Sequence, residues 1–164
     1  MSISSRWCTI AVAGMGLAGC QASAPPPPPP PALPFQQVAD VKQLMASILE
    51  PAADGYWDAV GSVDDAKGTT YIAPRTSEQW VAVRNYAYVI AESGNLLMMP
   101  PRARDQAAWI TMSKELIEAG RRAIAAAEAH DTTAVFDAGA AVYDACSHCH
   151  ATYVAGIAKP SAGR

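Results

Sequence analysis

Cys146-Ser147-His148-Cys149-His150 lies near the C-terminus of the 164-residue chain, and we expect the fold to be organised around it. The stretch places two thiols three positions apart, with an imidazole directly after the second thiol. This C-x-x-C-H spacing is typical of c-type haem attachment, in which the thiols add to the haem vinyl groups and the imidazole binds iron. The motif therefore predicts one covalent haem, with Cys146 and Cys149 as thioether residues and His150 as an axial ligand.

Three other uses of these residues fit less well. A structural zinc site needs four cysteine or histidine ligands, and outside the motif the chain offers only His130 and two N-terminal cysteines. A redox-active C-x-x-C of the thioredoxin type lies beside a βαβ pattern, which this sequence lacks. A disulfide between Cys146 and Cys149 would leave the histidine unexplained. Only a haem accounts for all three residues.

The N-terminus has the pattern of an export signal. Arg6 precedes an apolar run that is too short to span a bilayer, so we interpret residues 1–19 as a signal peptide. The run ends in Leu17-Ala18-Gly19-Cys20, which resembles a bacterial lipobox. That resemblance implies that Cys20 is acylated and begins the mature protein. An ordinary signal cleaved after Ala22-Ser23-Ala24 is the alternative.

Export agrees with the haem motif, because covalent c-haem attachment in bacteria takes place outside the cytoplasm. Every thiol is then assigned, since Cys8 leaves with the signal, Cys20 is lipidated and the other two bind haem. We therefore expect a periplasmic protein that is held on a bacterial membrane by its lipid anchor.

A proline run from Pro25 to Pro31 follows the lipobox. Proline fixes φ and lacks an N–H, so residues 20–36 are predicted to form an extended linker of about 3.1 Å per residue. Such a linker holds the folded domain away from the membrane. A proline-rich docking ligand is the alternative, but no basic residue flanks the run.

Residues 37–160 are predicted to form one all-α domain, because the stretch is rich in alanine and has few β-branched runs. A short tail follows at 161–164. Apolar residues recur at three- and four-residue steps in four segments, which predicts four amphipathic helices. The first follows a stripe from Val38 through Ile48 to Tyr56, with a kink or break near Glu50, because Pro51 removes a backbone hydrogen bond. Residues 61–74 have turn chemistry and predict a long loop.

The remaining three helices follow in short order. The second begins at the capping box Thr76-Ser77-Glu78-Gln79 and ends at Pro100-Pro101. The third runs from Arg102 to His130. We expect the His130 side chain to complement the dipole of this helix rather than enter the core. Asp131 and Thr132 then cap the fourth. The predicted apolar stripe of the fourth helix is Phe136, Gly139, Tyr143, Cys146, His150, Tyr153 and Ile157.

Four amphipathic helices with a C-x-x-C-H in the last one resemble the cytochrome c-prime family, whose members are antiparallel four-helix bundles with c-haem in the core. The resemblance covers about residues 38–159, and its specific part is the placement of the motif near the C-terminus. It implies that His150 is the proximal ligand and that a first-helix residue faces the other side of the iron. Family members often carry an arginine one turn before that residue, where this chain has Val41, with Lys42 next to it.

Met45 is the one soft sulfur ligand on the face of the first helix to which the resemblance points, so we expect it to be the distal ligand. Methionine also fills irregular gaps in cores, and this explains the residue equally simply. Leu44 or Ile48 in the distal place would leave the iron five-coordinate.

Two functions follow from these alternatives. A six-coordinate haem held by His150 and Met45 predicts an electron-transfer protein with a periplasmic redox partner, whereas a five-coordinate haem predicts binding of nitric oxide or carbon monoxide. We expect no enzyme, because no acid–base group accompanies the motif. The formal charge of −3, which becomes −4 when Arg6 is lost, indicates no nucleic-acid binding. The family resemblance also implies a homodimer.

Overall fold

A computed structural model of the chain describes residues 35–154. The elements in chain order are α1 (Val41–Leu44), a π-helical segment (Met45–Leu49), α2 (Glu50–Trp57), β1 (Gly61–Asp65), β2 (Gly68–Ile72), α3 (Ser77–Met98), α4 (Ala108–Glu128) and α5 (Thr132–Tyr153). The described part is mostly helical, as predicted, with one small two-stranded sheet. Within it, no helix has the length and apolar character needed to cross a membrane. The predictions for residues 1–34, including Cys20, and for residues 155–164 fall outside the described residues.

Residues 41–57 form one uninterrupted helical segment with a wide turn in its middle. Its start is a capping box, because the Asp40 carboxylate accepts the N–H of Gln43 at 2.7 Å and the Gln43 side chain accepts the N–H of Asp40 at 3.1 Å. The irregularity predicted near Glu50 is a π turn, in which the N–H of Glu50 donates to the carbonyl of Met45. This turn directly precedes Pro51, which has no N–H to continue the α-helical ladder.

The π turn changes which side chains of this segment face the core. Leu44, Leu49 and Ala53 are buried, whereas Ile48 is 38% exposed and Val38, which precedes the helix, is 93% exposed. The predicted stripe is therefore wrong at Val38 and Ile48, whereas its later members Ala52 and Tyr56 are buried as predicted. A π turn adds one residue to the ladder and rotates the following side chains by about 100°, so Leu49 takes the place that a regular helix would give to Ile48.

Residues 61–74 contain a β-hairpin where the sequence predicts a loop. Asp64 pairs with Thr69 and Asp65 with Gly68, which closes a tight antiparallel turn. Gly68 adopts a φ of 121°, a conformation that suits glycine, and the Asp65 carboxylate accepts the N–H of Lys67 at 2.7 Å. Nearly every residue of the two strands is exposed. The strands therefore need no alternation of apolar and polar residues, and the sequence shows none.

The third predicted helix begins later than expected, at Ala108 rather than Arg102. Its start is set by Asp105, whose carboxylate accepts the N–H groups of Ala107 at 2.9 Å and Trp109 at 3.1 Å. Arg102 instead lies buried in the preceding turn, where its Nε donates to the carbonyl of Ala39 at 3.0 Å. This contact ties the turn to the start of the first helical segment.

Each of α2, α3 and α4 contacts the next helix along the chain, and α5 also contacts α2. α3 packs on α2 and α4, and α5 packs on α4 and α2. Large buried side chains from all four fill the space between them: Tyr56, Val83, Ile90, Leu97, Trp109, Leu116, Val135 and Val142. α3 and α4 pack closely at Gly120, where an added Cβ would lie 2.7 Å from the Cα of Ala91.

The buried side of α5 differs from the predicted stripe at two positions. Phe136 is 63% exposed and Tyr143 is 61% exposed, whereas Val135 and Val142 are fully buried. The reason lies on α2, because the Trp57 indole covers Gly139 and its Nε1 donates to the Gly139 carbonyl at 2.9 Å. With the indole packed there, the aromatic residues of α5 face outward and the smaller valines meet the core.

Gly120→Ala is expected to lower the free energy of unfolding by about 1–3 kcal/mol, because the added methyl meets the backbone of Ala91. In an unobstructed helix the same change would stabilise by about 1 kcal/mol. Gly61→Ala in β1 is the control, since no atom beyond the glycine and its chain neighbours lies within 4 Å of the position its Cβ would take. Urea unfolding of both variants measures the difference, and equal stabilities would contradict the close packing of α3 on α4.

Candidate functional site

A cavity of about 440 Å³ collects the residues of the C-x-x-C-H motif. Cys146, Cys149 and His150 line it from α5, and Met45 lines it from the π-helical segment. All four side chains are half-buried. The volume lies in the range of sites that hold small molecules and cofactors. The structure therefore brings to one cavity the four residues that the sequence assigns to haem attachment and iron ligation.

The walls of this cavity are mainly apolar. They include these residues from several helices: Leu49, Ala53, Trp57, Leu97, Met112, Leu116 and Tyr143. Charge in the lining comes from the exposed carboxylates Glu50 and Asp54 of α2. Neither Val41, which occupies the place of the family's arginine, nor the adjacent Lys42 is among the lining residues. A mainly apolar lining with a few polar groups is typical of sites that hold small molecules and cofactors.

The π turn is what gives Met45 and Leu49 their places in the cavity. Met45 begins the turn and Leu49 ends it, and both lie in the lining. Leu44, which the sequence left open as a distal neighbour, is 1% exposed in the core and is not among the lining residues. Single π turns often occur at functional sites because they re-aim neighbouring side chains.

Both motif cysteines are free thiols with raised pKa values. Burial raises the pKa of Cys146 to about 11, with a smaller contribution from Cys149. Burial also raises the pKa of Cys149, with a smaller contribution from the Glu115 carboxylate. At neutral pH both groups are therefore protonated, which is unlike the low-pKa thiolate of a redox-active C-x-x-C.

Residues 35–154 contain no group of three or more histidine, cysteine, aspartate or glutamate side chains that could hold a metal ion. A haem iron takes four of its ligands from the porphyrin, so the chain has to supply only axial ligands. His150 and Met45 are one nitrogen and one sulfur donor on the same cavity.

Sequence reasoning missed a contact that anchors the end of α5. The hydroxyl of Tyr153 donates to the carboxylate of Asp105, and the Tyr153 ring meets Trp109 edge-on with centroids 4.9 Å apart. The Tyr153 hydrogen bond is the main cause of a lowered pKa at Asp105, and the bond to Asp105 raises the pKa of Tyr153 to about 12. This contact ties the helix that carries His150 to the start of α4.

The other two histidines lie outside the cavity lining. His148 is exposed, and its Nδ1 lies 3.0 Å from Oε2 of Glu115 on α4. His130 lies one residue beyond the cap of α4 with a φ of 55°, and its side chain is exposed and does not enter the core. Its N–H donates to the carbonyl of Ala127, and its ring stacks on Trp80 with centroids 4.7 Å apart.

No family model, curated protein or solved structure matches the chain.

Tyr153→Phe is expected to lower the melting temperature at neutral pH, because it removes the hydrogen bond to Asp105. Because the pKa of Asp105 is lowered, the carboxylate stabilises the fold at pH values above its ordinary pKa of 3.8. This stabilisation is lost as the pH falls through the pKa of the folded state. Because the pKa of Tyr153 is raised, its hydroxyl stabilises the fold below pH 10, and this stabilisation is lost as the pH rises towards about 12.

The difference in melting temperature between the wild type and Tyr153→Phe should therefore be largest between about pH 5 and 9 and shrink on both sides. Tyr71→Phe is the matched control, because Tyr71 is 74% exposed in the hairpin. Thermal unfolding across this pH range tests the contact, and a pH-independent difference would contradict it.

Proposed function

We propose that the chain is a membrane-anchored periplasmic c-type cytochrome that transfers electrons through a single covalent haem. The observation that carries this proposal is the cavity shared by Cys146, Cys149, His150 and Met45. These residues are two attachment thiols and two axial donors, which is the set that a six-coordinate c-type haem requires. When bound, the haem supplies an iron that gains and loses one electron.

Each residue has a distinct role in this proposal. Cys146 and Cys149 hold the cofactor by thioether bonds, and His150 is the proximal ligand on the same helix. Met45 is the distal ligand from the first helical segment, and its thioether favours a high reduction potential. Because both axial positions are filled by side chains, the site suits electron transfer better than binding of a gas.

The proposed architecture is an antiparallel four-helix bundle like that of the cytochrome c-prime family. The contacts of α3 with α2 and α4, and of α5 with α4 and α2, support it. In this arrangement residues 41–57 serve as the first helix of the bundle.

The anchor is proposed from the sequence. Acylation at Cys20 would attach the mature chain to a bacterial membrane, and the proline-rich linker would hold the domain away from its surface. The redox partner would then be a periplasmic protein within reach of that linker.

Covalent attachment predicts that the purified protein keeps its haem under acid–acetone extraction, because thioether bonds resist it. Replacing both Cys146 and Cys149 with alanine should release the haem into the organic phase. His148→Ala is the matched control, since it changes an exposed position of the same motif and should leave the haem attached. Extraction of the wild-type colour would contradict the central proposal.

Ligation by Met45 predicts that the reduced protein has a low-spin spectrum. Met45→Ala should convert it to a high-spin spectrum and allow carbon monoxide to bind, because the distal position loses its donor. Met112→Ala, at the other methionine of the cavity lining, should leave the spectrum low-spin. A wild-type protein that is already high-spin and binds carbon monoxide would instead support a five-coordinate, gas-binding haem protein.

A further inference from the structure

A second groove, of about 370 Å³, lies between α2 and α5 beside the haem cavity. Trp57 and Tyr143 line both the groove and the cavity. Trp57 is fixed by its hydrogen bond to the Gly139 carbonyl, and its ring meets Tyr143 edge-on with centroids 6.2 Å apart. These two side chains therefore form a wall that the cavity and the outer surface share.

The groove is unusually aromatic for an exposed surface. Phe136 and Tyr143 are 63% and 61% exposed, although the neighbouring Val135 and Val142 of the same helix are fully buried. Together with Trp57 they form what we call the aromatic face. Exposed aromatic clusters of this kind are typical of the centre of protein–protein interfaces.

Apart from His150, the ionisable side chains at the edge of the aromatic face that line the groove and the adjoining cavity are carboxylates, together with the two cysteines and the tyrosines. Asp144 lines the groove, while Glu50 and Asp54, four residues apart on α2, line the adjoining cavity. We call these three exposed carboxylates the acidic rim. α2 and α5 contain no lysine or arginine.

The acidic rim also lacks neutralising partners. The ion pairs found among residues 35–154 are Arg121 with Glu118 and His148 with Glu115, and neither involves the rim. Unpaired, solvent-exposed carboxylates around an apolar centre attract a cationic surface at long range and set its orientation. The aromatic rings then offer both apolar contact area and cation–π contacts to lysine or arginine side chains.

We propose that the aromatic face and the acidic rim form the docking surface for a lysine- or arginine-rich face of a partner protein. The charge of the rim identifies the occupant, because a second copy of the same surface would bring carboxylates against carboxylates. The inference rests on the proposed function in one respect, since it places a redox partner directly beside the haem cavity.

The test is a calorimetric titration of the mature holoprotein, in detergent, with mitochondrial cytochrome c, a lysine-rich redox protein of known positive surface charge. The affinity is expected to fall about tenfold when the ionic strength rises from about 20 to 200 mM, because exposed charges are screened. Binding that is absent, or indifferent to salt, would overturn the proposal.

Matched charge reversals locate the surface. Asp144→Lys is expected to weaken binding about tenfold at low salt, whereas Glu92→Lys, with the same change in net charge at an exposed position of α3, should change it less than about twofold. Asp144→Asn provides a milder variant if the reversal disturbs folding, and it should weaken binding about threefold. Equal effects of Asp144→Lys and Glu92→Lys would show that net charge alone acts, which overturns the proposal.

Phe136→Ala tests the aromatic part, because Phe136 lines the groove and not the haem cavity. It should weaken binding about fivefold while leaving the salt dependence unchanged. If Phe136→Ala instead dissociates a dimer of the holoprotein in sedimentation and leaves the affinity for the probe unchanged, the occupant is a second copy and the proposal fails.

The outcomes separate this inference from the proposed function. A chain that loses its haem on extraction but binds the probe through Asp144 would retain the docking surface and refute the cytochrome. A chain with a covalent, low-spin haem whose binding ignores Asp144 and Phe136 would retain the cytochrome and refute the docking surface.

Discussion

The missing N–H of Pro51 is the constraint on which the first helical segment depends. A regular α-helix through this point would leave one carbonyl without its donor, and the π turn over Met45–Leu49 comes directly before it. The extra residue rotates Leu49 towards the core and leaves Ile48 at the surface. Met45 and Leu49, at the two ends of this turn, both line the cavity, so this part of its wall depends on the π turn.

The sequence predicted the parts of the fold whose causes are local. The start of α3 depends on Thr76 and Gln79, which satisfy each other's backbone within one turn, and the start of α5 depends on the Asp131 carboxylate, which accepts an N–H three residues on. The placement of Cys146 and His150 in one cavity is local in the same sense, because residues four apart share a face of a helix. Such features can be read from spacing alone.

The features that sequence reasoning missed depend on residues far apart in the chain. Phe136 and Tyr143 face outward because Trp57 of α2 covers Gly139, which no pattern within α5 can indicate. The bond of Tyr153 to Asp105 joins positions 48 residues apart. The hairpin escaped prediction for the opposite reason, since its strands bury almost nothing and so have no apolar period.

In the proposed holoprotein two effects act on the haem potential in opposite directions. A Met45 thioether bound to iron would raise the potential, whereas the carboxylates of Glu50 and Asp54 would favour the ferric form and lower it. The ligand acts through a direct bond, but the carboxylates are exposed and their field is weakened by water and salt. Axial ligation should therefore dominate the potential. In that holoprotein the exposed carboxylates would act mainly at the surface, where they would meet an incoming protein first.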